Sequence, residues 1–252
     1  MKYDLILRCG IERAGTGFVD HFLFLNDKIA FFSGPGMREL DSYIMSHDGP
    51  FKPDVLKTVW GNEYQEGEHL TGGLSWVGAK EFHAYYEKRI VKRTGDIYAI
   101  SHHLGEQWFS IYRDNFDCKI FVVYCARDIV HQYRSFKAWY QQETPEYFLN
   151  KLKASMEFLD QNIDDMNFMS ITVPDYAAVK LKKRMTKLMK VIGVPFSKEQ
   201  TLFMQKRRYL GKTIKKSTVP DKYLRKELEA HPEFAKINDA YDNLKSGAMD
   251  TA

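Results

Sequence analysis

The sequence is poor in cysteine and has no long apolar run. Its three cysteines, Cys9, Cys118 and Cys125, are widely spaced and form no C-x-x-C pair, so neither a disulfide framework nor a cysteine metal site is indicated. The longest apolar runs, such as Phe22–Leu25 and Ile120–Tyr124, fall far short of the roughly 18 residues that a membrane-spanning helix needs. The N-terminal residues show no secretory signal. We therefore expect a cytoplasmic protein without a membrane span.

The chain does contain enough apolar material for a folded core. Of its 252 residues, 44% are hydrophobic and 14% are aromatic, which excludes the disordered and fibrous classes. No internal repeat, low-complexity tract or Pro/Gly/Ser-rich linker divides the sequence. We predict one α/β domain over residues 1–252, with an irregular, Gly-rich excursion at 34–78 and a helical tail at 213–252. Long excursions of this kind often face a substrate.

The charge is distributed unevenly along the chain. The formal net charge is +4, yet sixteen basic residues between Lys180 and Lys226 stand against only Glu199 and Asp221. This window therefore carries +14 and the rest of the chain −10. Such a stretch indicates an anionic ligand nearby, whether a nucleotide, an acidic sugar or a nucleic acid. A solvated helix face is the alternative interpretation for residues 180–190.

Short apolar runs alternate with helical patterns. The runs that predict strands are Asp4–Cys9, Lys28–Ser33, Asp96–Ser101, Lys119–Cys125 and Phe168–Thr172. Apolar residues spaced three or four apart predict helices at Val19–Leu25, at Phe82–Ile90, after Thr144-Pro145, and at Val179–Ile192. Alternating strands and helices imply right-handed crossovers and a parallel sheet covered on both faces. We predict a three-layer, P-loop-like α/β fold with a central parallel sheet of about five strands.

The first strand leads directly into a Gly-rich loop, CGIERAGTGF (Cys9–Phe18). A strand, a glycine-rich loop and a helix form the layout in which backbone N–H groups hold a phosphate. Gly10 and Gly15 keep the G-x-x-x-x-G spacing of a P-loop, but the Lys-Ser/Thr pair that should follow is Thr16-Gly17. A metal-dependent NTPase is therefore disfavoured, and we expect no metal.

The run GIERAGTG resembles the 5′-phosphosulfate-binding loop of the cytosolic and bacterial sulfotransferases, which reads G-x-P-R/K-S/A-G-T-T/S. Glu12 replaces the proline of this pattern, and Gly17 replaces its second hydroxyl residue. The resemblance implies that the donor is PAPS (3′-phosphoadenosine 5′-phosphosulfate). It also implies that the loop binds the phosphosulfate through Arg13, Ala14, Gly15, Thr16, Gly17 and Phe18.

A second run, KIFVVYCARDIVHQYRS, resembles the same family's 3′-phosphate signature, a hydrophobic strand followed by R-N/D-P-x-D/E-x-x-x-S. Arg127 and Ser135 keep the spacing of the signature, and Asp128 fits it, whereas Ile129 replaces the proline. A guanidinium at the strand tip and a hydroxyl two turns along the next helix can converge on one phosphate. A weaker resemblance, in KRRYLGK, adds three cations over that phosphate: Arg207, Arg208 and Lys212.

The segment AISHHLG at residues 99–105 resembles the family's K-S/T-H-L-P, in which the histidine accepts the proton of the acceptor hydroxyl. Alignment on His-Leu makes His103 the base, and alignment on Ser-His makes it His102. Glu106 is a third candidate, because other branches of the family use a carboxylate. Side chains alternate in an extended segment, so only one of the two rings can face the pocket. We prefer His103.

Together these matches imply a sulfotransferase that moves a sulfuryl group from PAPS to an acceptor hydroxyl and releases 3′,5′-ADP. The sequence does not identify the acceptor: sugar hydroxyls, lipids, phenols and small metabolites stay open, and we expect a carbohydrate or small metabolite held on the side of residues 34–78. One alternative is a P-loop nucleotide or metabolite kinase. The other is a non-catalytic polyanion- or RNA-binding module that uses residues 180–226. Because the two phosphate motifs occur in the family's order, we prefer the sulfotransferase and do not expect nucleic acid as a partner.

Overall fold

The computed structural model describes residues 2–32, 37–60, 91–101, 105–140, 144–172, 178–210 and 220–251. In chain order its elements are β1 (Leu5–Cys9), α1 (Thr16–Phe24), β2 (Ile29–Phe32), α2 (Met37–Ser46), α3 (Leu56–Val59), β3 (Val91–Lys92), β4 (Ile97–Ser101), α4 (Gly105–Asn115), β5 (Ile120–Ala126), α5 (Ile129–Trp139), α6 (Pro145–Asn162), β6 (Phe168–Thr172), α7 (Ala178–Ile192), α8 (Lys198–Leu210), α9 (Asp221–Glu229) and α10 (Phe234–Ser246). Short 3₁₀ turns precede α3 and follow α6. The predicted helix at 82–90 lies outside the described residues.

One sheet with the strand order β3-β2-β4-β1-β5-β6 forms the middle of the described structure. All neighbouring strands run parallel except β2 and β3, which are antiparallel. The five strands predicted from the sequence are the five parallel ones, and the α/β fold class is confirmed. The prediction missed β3, because a strand of two residues shows no periodicity.

Helices cover both faces of the sheet, which gives a three-layer structure. An apolar core lies between the sheet and the helices on each face. Helices α1, α7 and α8 cover one face, and the cluster there includes Ile6 of β1. Helices α4, α5, α6, α9 and α10 cover the other, where the cluster includes Leu5 and Leu7. All three of these side chains are wholly buried. A central parallel strand must be apolar on both faces, which explains its continuous apolar sequence.

The helix boundaries follow local sequence signals. The Thr144 hydroxyl accepts a hydrogen bond from the Tyr147 N–H at 3.2 Å, and Pro145 occupies the first helical position of α6. Gly193 ends α7 with a φ of 77°, a left-handed conformation that suits glycine. Among the described residues, no helix is long and apolar enough to cross a membrane.

The last described residues follow the outer edge of β6. The Thr251 N–H donates to the Phe168 carbonyl at 3.1 Å, and the Phe168 N–H donates to the Thr251 hydroxyl at 2.8 Å. Asp250 accepts a bond from the Ser170 N–H at 2.9 Å and pairs with Arg184 of α7. The chain after α10 therefore binds the edge of the sheet with both backbone and side-chain groups.

Candidate active site

The motifs singled out in the sequence follow three adjacent strands. β1 lies between β4 and β5, and all three run parallel. The Gly-rich loop leaves β1 after Cys9, Arg127 follows β5, and β4 ends at Ser101. Ligands of open α/β sheets bind outside the carboxyl ends of the strands. The topology therefore brings the Gly-rich loop, Arg127 and the end of β4 at Ser101 to one edge of the sheet.

The loop between β1 and α1 is a tight turn whose backbone conformation demands glycine at two positions. Gly10 has a φ of 132°, and a Cβ there would lie 2.7 Å from the Cys125 carbonyl oxygen of β5. Gly15 has a φ of 88° and precedes the first residue of α1. The first N–H groups of a helix lack partners within it, and no side chain among the described residues caps this helix. In this first turn the Phe18 N–H donates to the Gly15 carbonyl at 3.0 Å. The loop thus leads into the positive dipole end of α1, a feature that favours the binding of phosphate.

Arg13 is strained within this loop. Its φ is 67°, a left-handed value found at no other non-glycine residue in the described part of the chain. Such a conformation costs about 1–3 kcal/mol and persists only where the surroundings enforce it. In this conformation the Arg13 Nε donates a hydrogen bond to the Ser135 hydroxyl of α5 at 2.9 Å. The two motif residues, 122 positions apart in the sequence, are therefore in direct contact.

Arg127 lies near enough to this contact for its positive charge to act on Arg13. Burial, and after it the positive charge of Arg127, lower the pKa of Arg13, and Tyr140 partly offsets them. Arg127 and Ser135 are both half-buried. Like charges held together in a partly desolvated place repel each other, and an anion between them relieves that repulsion. Arg13, Arg127, Ser135 and the N-terminus of α1 therefore form a positively charged cluster whose chemistry suits an anion.

The structure shows the surroundings of two of the three departures from the family patterns, Glu12 and Ile129. Glu12, which stands where the phosphosulfate loop has proline, pairs with Lys151 of α6 at 2.8 Å. Burial is the largest single influence on the pKa of Lys151 and lowers it, but the hydrogen bonds and charges of Glu12 and Tyr147 together raise this pKa above its ordinary value. Ile129, at the proline position of the second pattern, is the first residue of α5 and is buried in the core. Asp128 caps that helix by accepting from the N–H groups two and three residues on, at 3.1 and 3.0 Å.

Sequence reasoning missed a buried ion pair directly beneath the loop. The Arg8 guanidinium of β1 binds the Asp20 carboxylate of α1 through two bonds of 2.5 and 2.8 Å, and both side chains are at most 1% exposed. The Ser101 hydroxyl at the end of β4 donates to the same carboxylate at 2.9 Å and accepts a short bond from Arg8. This cluster ties α1 to β4, the strand that precedes the candidate bases in the sequence.

Helix α8 runs antiparallel to α1. Its Gln200 side chain donates to the Phe22 carbonyl at 2.7 Å, near the end of α1, whereas its Phe203 ring stacks on Phe18 in the first turn, with centroids 5.1 Å apart. Phe203 also stacks on His21, whose pKa burial lowers from 6.5 to about 4. Position 207 lies four residues after Phe203 on the same face of the helix. The backbone of α8 therefore carries this position toward the phosphate loop.

Several predicted site residues fall outside what the structure describes. His102, His103 and Lys212 lie outside the described residues. Arg207 and Arg208 lie in the described backbone of α8, and Glu106 lies in the first turn of α4. The excursion at 34–78 is described only over 37–60, which form α2, a 3₁₀ turn and α3. The roles of these residues stay predictions.

Comparison with known proteins supports the fold. No protein-family model matches the sequence, and no curated protein sequence matches it. In three dimensions the chain is similar to the crystal structure of the sulfotransferase STF9 from Mycobacterium avium, with a TM-score of 0.50 and 11% sequence identity. The match covers 96% of this chain and 77% of that chain. The chain therefore has a sulfotransferase fold.

Proposed function

We propose that this chain is a PAPS-dependent sulfotransferase that acts on a hydroxyl group of a carbohydrate or small metabolite. The observation that carries the proposal is the contact between Arg13 and Ser135 beside Arg127, at the N-terminus of α1. Arg13 comes from the phosphosulfate-type loop, whereas Ser135 and Arg127 come from the 3′-phosphate-type signature. A donor with phosphate groups at both ends of its ribose needs both motifs at one place.

The residues at the site fit such a donor. Arg13 and the N–H groups at the start of α1 would bind the 5′-phosphosulfate, and Arg127 with Ser135 would bind the 3′-phosphate. Position 207 of α8, with Arg208 and Lys212 beyond it, would add cations over the 3′-phosphate. Because the pKa of Arg13 is lowered by burial and by Arg127, a bound anion restores the favourable environment of both guanidinium groups.

PAPS supplies an activated sulfuryl group on a phosphate leaving group. The acceptor oxygen forms a bond to sulfur while the bond from sulfur to the phosphate oxygen breaks, and the acceptor proton passes to the base. Arg13 and the α1 N–H groups stabilise the negative charge that develops on the sulfuryl and leaving oxygens. The protein accelerates such a group transfer by positioning the donor and the acceptor and by stabilising the developing charge.

The base is His103, with His102 and Glu106 as the alternatives that the sequence leaves open. The segment that holds both histidines directly follows Ser101, which the Arg8–Asp20 pair holds beside α1. A base on this segment is thus carried by a strand fixed to the phosphate-loop helix. A positioned base contributes about 10²- to 10⁴-fold to the rate.

Calorimetry with 3′,5′-ADP, 5′-AMP and ATP tests the donor assignment directly. A sulfotransferase binds 3′,5′-ADP more tightly than 5′-AMP, because only the first carries a 3′-phosphate for Arg127 and Ser135. Equal affinity for the two would overturn the proposal. Incubation with PAPS and a mixed acceptor library, read by mass spectrometry, then identifies the sulfated class.

The same experiments separate the two alternatives. A kinase would prefer ATP and would lose activity in EDTA, whereas a sulfotransferase of this type keeps its activity there. A polyanion-binding module would show steep salt dependence and no preference among nucleotides. Part of its proposed basic surface is already neutralised, since Arg184 and Lys187 pair with Asp250 at 2.8 and 3.5 Å.

A further inference from the structure

A chain of three hydrogen bonds joins the two halves of the candidate site through the C-terminal helix. The Arg127 N–H donates to the Tyr241 hydroxyl of α10 at 3.2 Å, and this hydroxyl donates to Gln132 Oε1 at 2.6 Å. The Gln132 Nε2 then donates to the Glu12 carbonyl at 3.0 Å. The bonds all run in one direction, from the strand end that carries Arg127 to the loop that carries Arg13.

Both side chains of this chain of bonds are wholly buried. Tyr241 and Gln132 are each 0% exposed. Burial raises the pKa of Tyr241, so its hydroxyl stays protonated and can donate and accept at once. Hydrogen bonds in a row polarise one another, and a buried polar group that loses its partner is destabilised. These bonds therefore fix the positions of the Arg127 N–H and the Glu12 carbonyl relative to each other.

The position of Tyr241 is set by packing rather than by the loop. Its helix buries Phe234, Ile237, Tyr241 and Leu244, which recur at helical spacing on one face. This face contacts α6 and β6. A hydroxyl on a helix anchored in this way is a fixed point against which both the loop and the strand end are placed.

We propose that Tyr241 and Gln132 are positioning residues that set the distance between the 5′-phosphosulfate loop and the 3′-phosphate residues. This proposal rests on the proposed function, because it assumes that one ligand bridges the two phosphate sites. Such a ligand gains its affinity from both sites only when their spacing matches its own. A ligand with a single phosphate does not sense the spacing.

The Tyr241→Phe variant tests the proposal, since it keeps the ring and removes only the hydroxyl. We expect the ratio of 3′,5′-ADP affinity to 5′-AMP affinity to fall by about three- to tenfold by calorimetry. Turnover assays should show a higher KM for PAPS with an unchanged KM for the acceptor. Gln132→Met should give a similar loss, and the double variant should lose less than the sum of the two.

The matched control is Tyr124→Phe. Tyr124 is also wholly buried, and its hydroxyl shares a bond of 2.8 Å with the Ser155 hydroxyl of α6. This variant should lose stability without any change in the affinity ratio. If Tyr241→Phe behaves in the same way, its role is structural and the proposal is overturned.

A measurement without nucleotide keeps this proposal separate from the proposed function. If the wild-type protein shows no preference for 3′,5′-ADP, the donor assignment fails. Amide hydrogen exchange at Arg127 still reports directly on its bond to Tyr241, and exchange in the peptide that contains Glu12 reports on how firmly the loop is held. We expect faster exchange at both places in Tyr241→Phe than in Tyr124→Phe. Unchanged exchange would show that Tyr241 does not hold these groups.

Discussion

Arg8 and Asp20 form a two-bond ion pair in the buried interface between β1 and α1, where neither side chain reaches solvent. Removing one partner leaves the other charge buried and uncompensated, which typically costs about 3–5 kcal/mol. We expect that loss in the free energy of unfolding of Arg8→Met and of Asp20→Asn, measured with urea. The double variant Arg8→Met/Asp20→Leu should be more stable than Arg8→Met alone, because it leaves no unpaired charge. A single variant that loses less than about 1 kcal/mol would contradict the pairing.

Arg127→Ala should weaken the binding of 3′,5′-ADP by roughly ten- to a hundredfold and leave 5′-AMP binding nearly unchanged. The reason is that a hydrogen bond to a charged group is worth about 1.5–3 kcal/mol. Calorimetry measures both affinities. Arg113→Ala is the control, because the Arg113 side chain is 42% exposed and pairs with its neighbour Asp114 on α4. Equal losses for the two variants would point to a general charge effect.

Arg13 offers a pair of substitutions that separate charge from backbone strain. Arg13→Ala and Arg13→Gly both remove the guanidinium, but only glycine adopts the φ of 67° without strain. We expect turnover to fall more than donor affinity in both variants, because the charge serves the transition state. Thermal unfolding should show Arg13→Gly at least as stable as Arg13→Ala. A loss of affinity alone would mean that Arg13 only anchors the phosphosulfate.

Substitutions at the adjacent residues His102 and His103 identify the general base. His103→Ala should reduce turnover by about 10²- to 10⁴-fold with nearly unchanged affinity for 3′,5′-ADP. His102→Ala should have a smaller effect, since an extended segment after Ser101 would point the two rings in opposite directions, so that only one faces the loop. Steady-state kinetics of both variants measure the ranking. The opposite ranking would identify His102 as the base. If turnover falls by less than about tenfold in both variants, Glu106 is the next candidate.

His21 makes the fold sensitive to acid. Burial lowers its pKa from 6.5 to about 4, so below pH 6.5 the unfolded chain takes up a proton that the folded chain excludes. The free energy of unfolding should therefore fall as the pH drops from about 6.5 to about 4, by about 3 kcal/mol, with no contribution from this group above that range. Urea unfolding at pH 7.5 and 4.5 should show a smaller acid loss in His21→Gln than in the wild type. His47→Gln is the control, because it removes an exposed histidine that lies outside the core.

The sequence predicts the parallel strands well, because each is a short apolar run with turn residues or charges at its ends. Lys119–Cys125 was predicted and Ile120–Ala126 is observed. The loop after β1 was also recognisable, since the spacing of Gly10 and Gly15 reflects backbone conformations that only glycine adopts easily. Local chemistry of this kind is readable without knowing how the helices pack.

Contacts between elements that are distant in the sequence could not be predicted from it. Arg8 interrupts an apolar run, and nothing in the sequence indicates that Asp20 lies opposite, because that depends on how α1 is rotated against the sheet. The same holds for Tyr241 and Gln132, which are 109 positions apart. The partner of Glu12 could not be predicted either. Lys151 belongs to α6, which covers the other face of the sheet from α1, the helix that follows the Glu12 loop.

The residues that follow α10 close the side of the sheet on which β6 lies. An outermost strand normally presents a row of unpaired N–H and C=O groups that a second molecule can use as a template for aggregation. Here the Phe168 and Ser170 N–H groups are already bonded to Thr251 and Asp250. The ion pair between Asp250 and Arg184 fastens this cover to α7. Strand addition at β6 would first have to displace this cover, so these few residues protect that edge of the sheet from pairing with a second molecule.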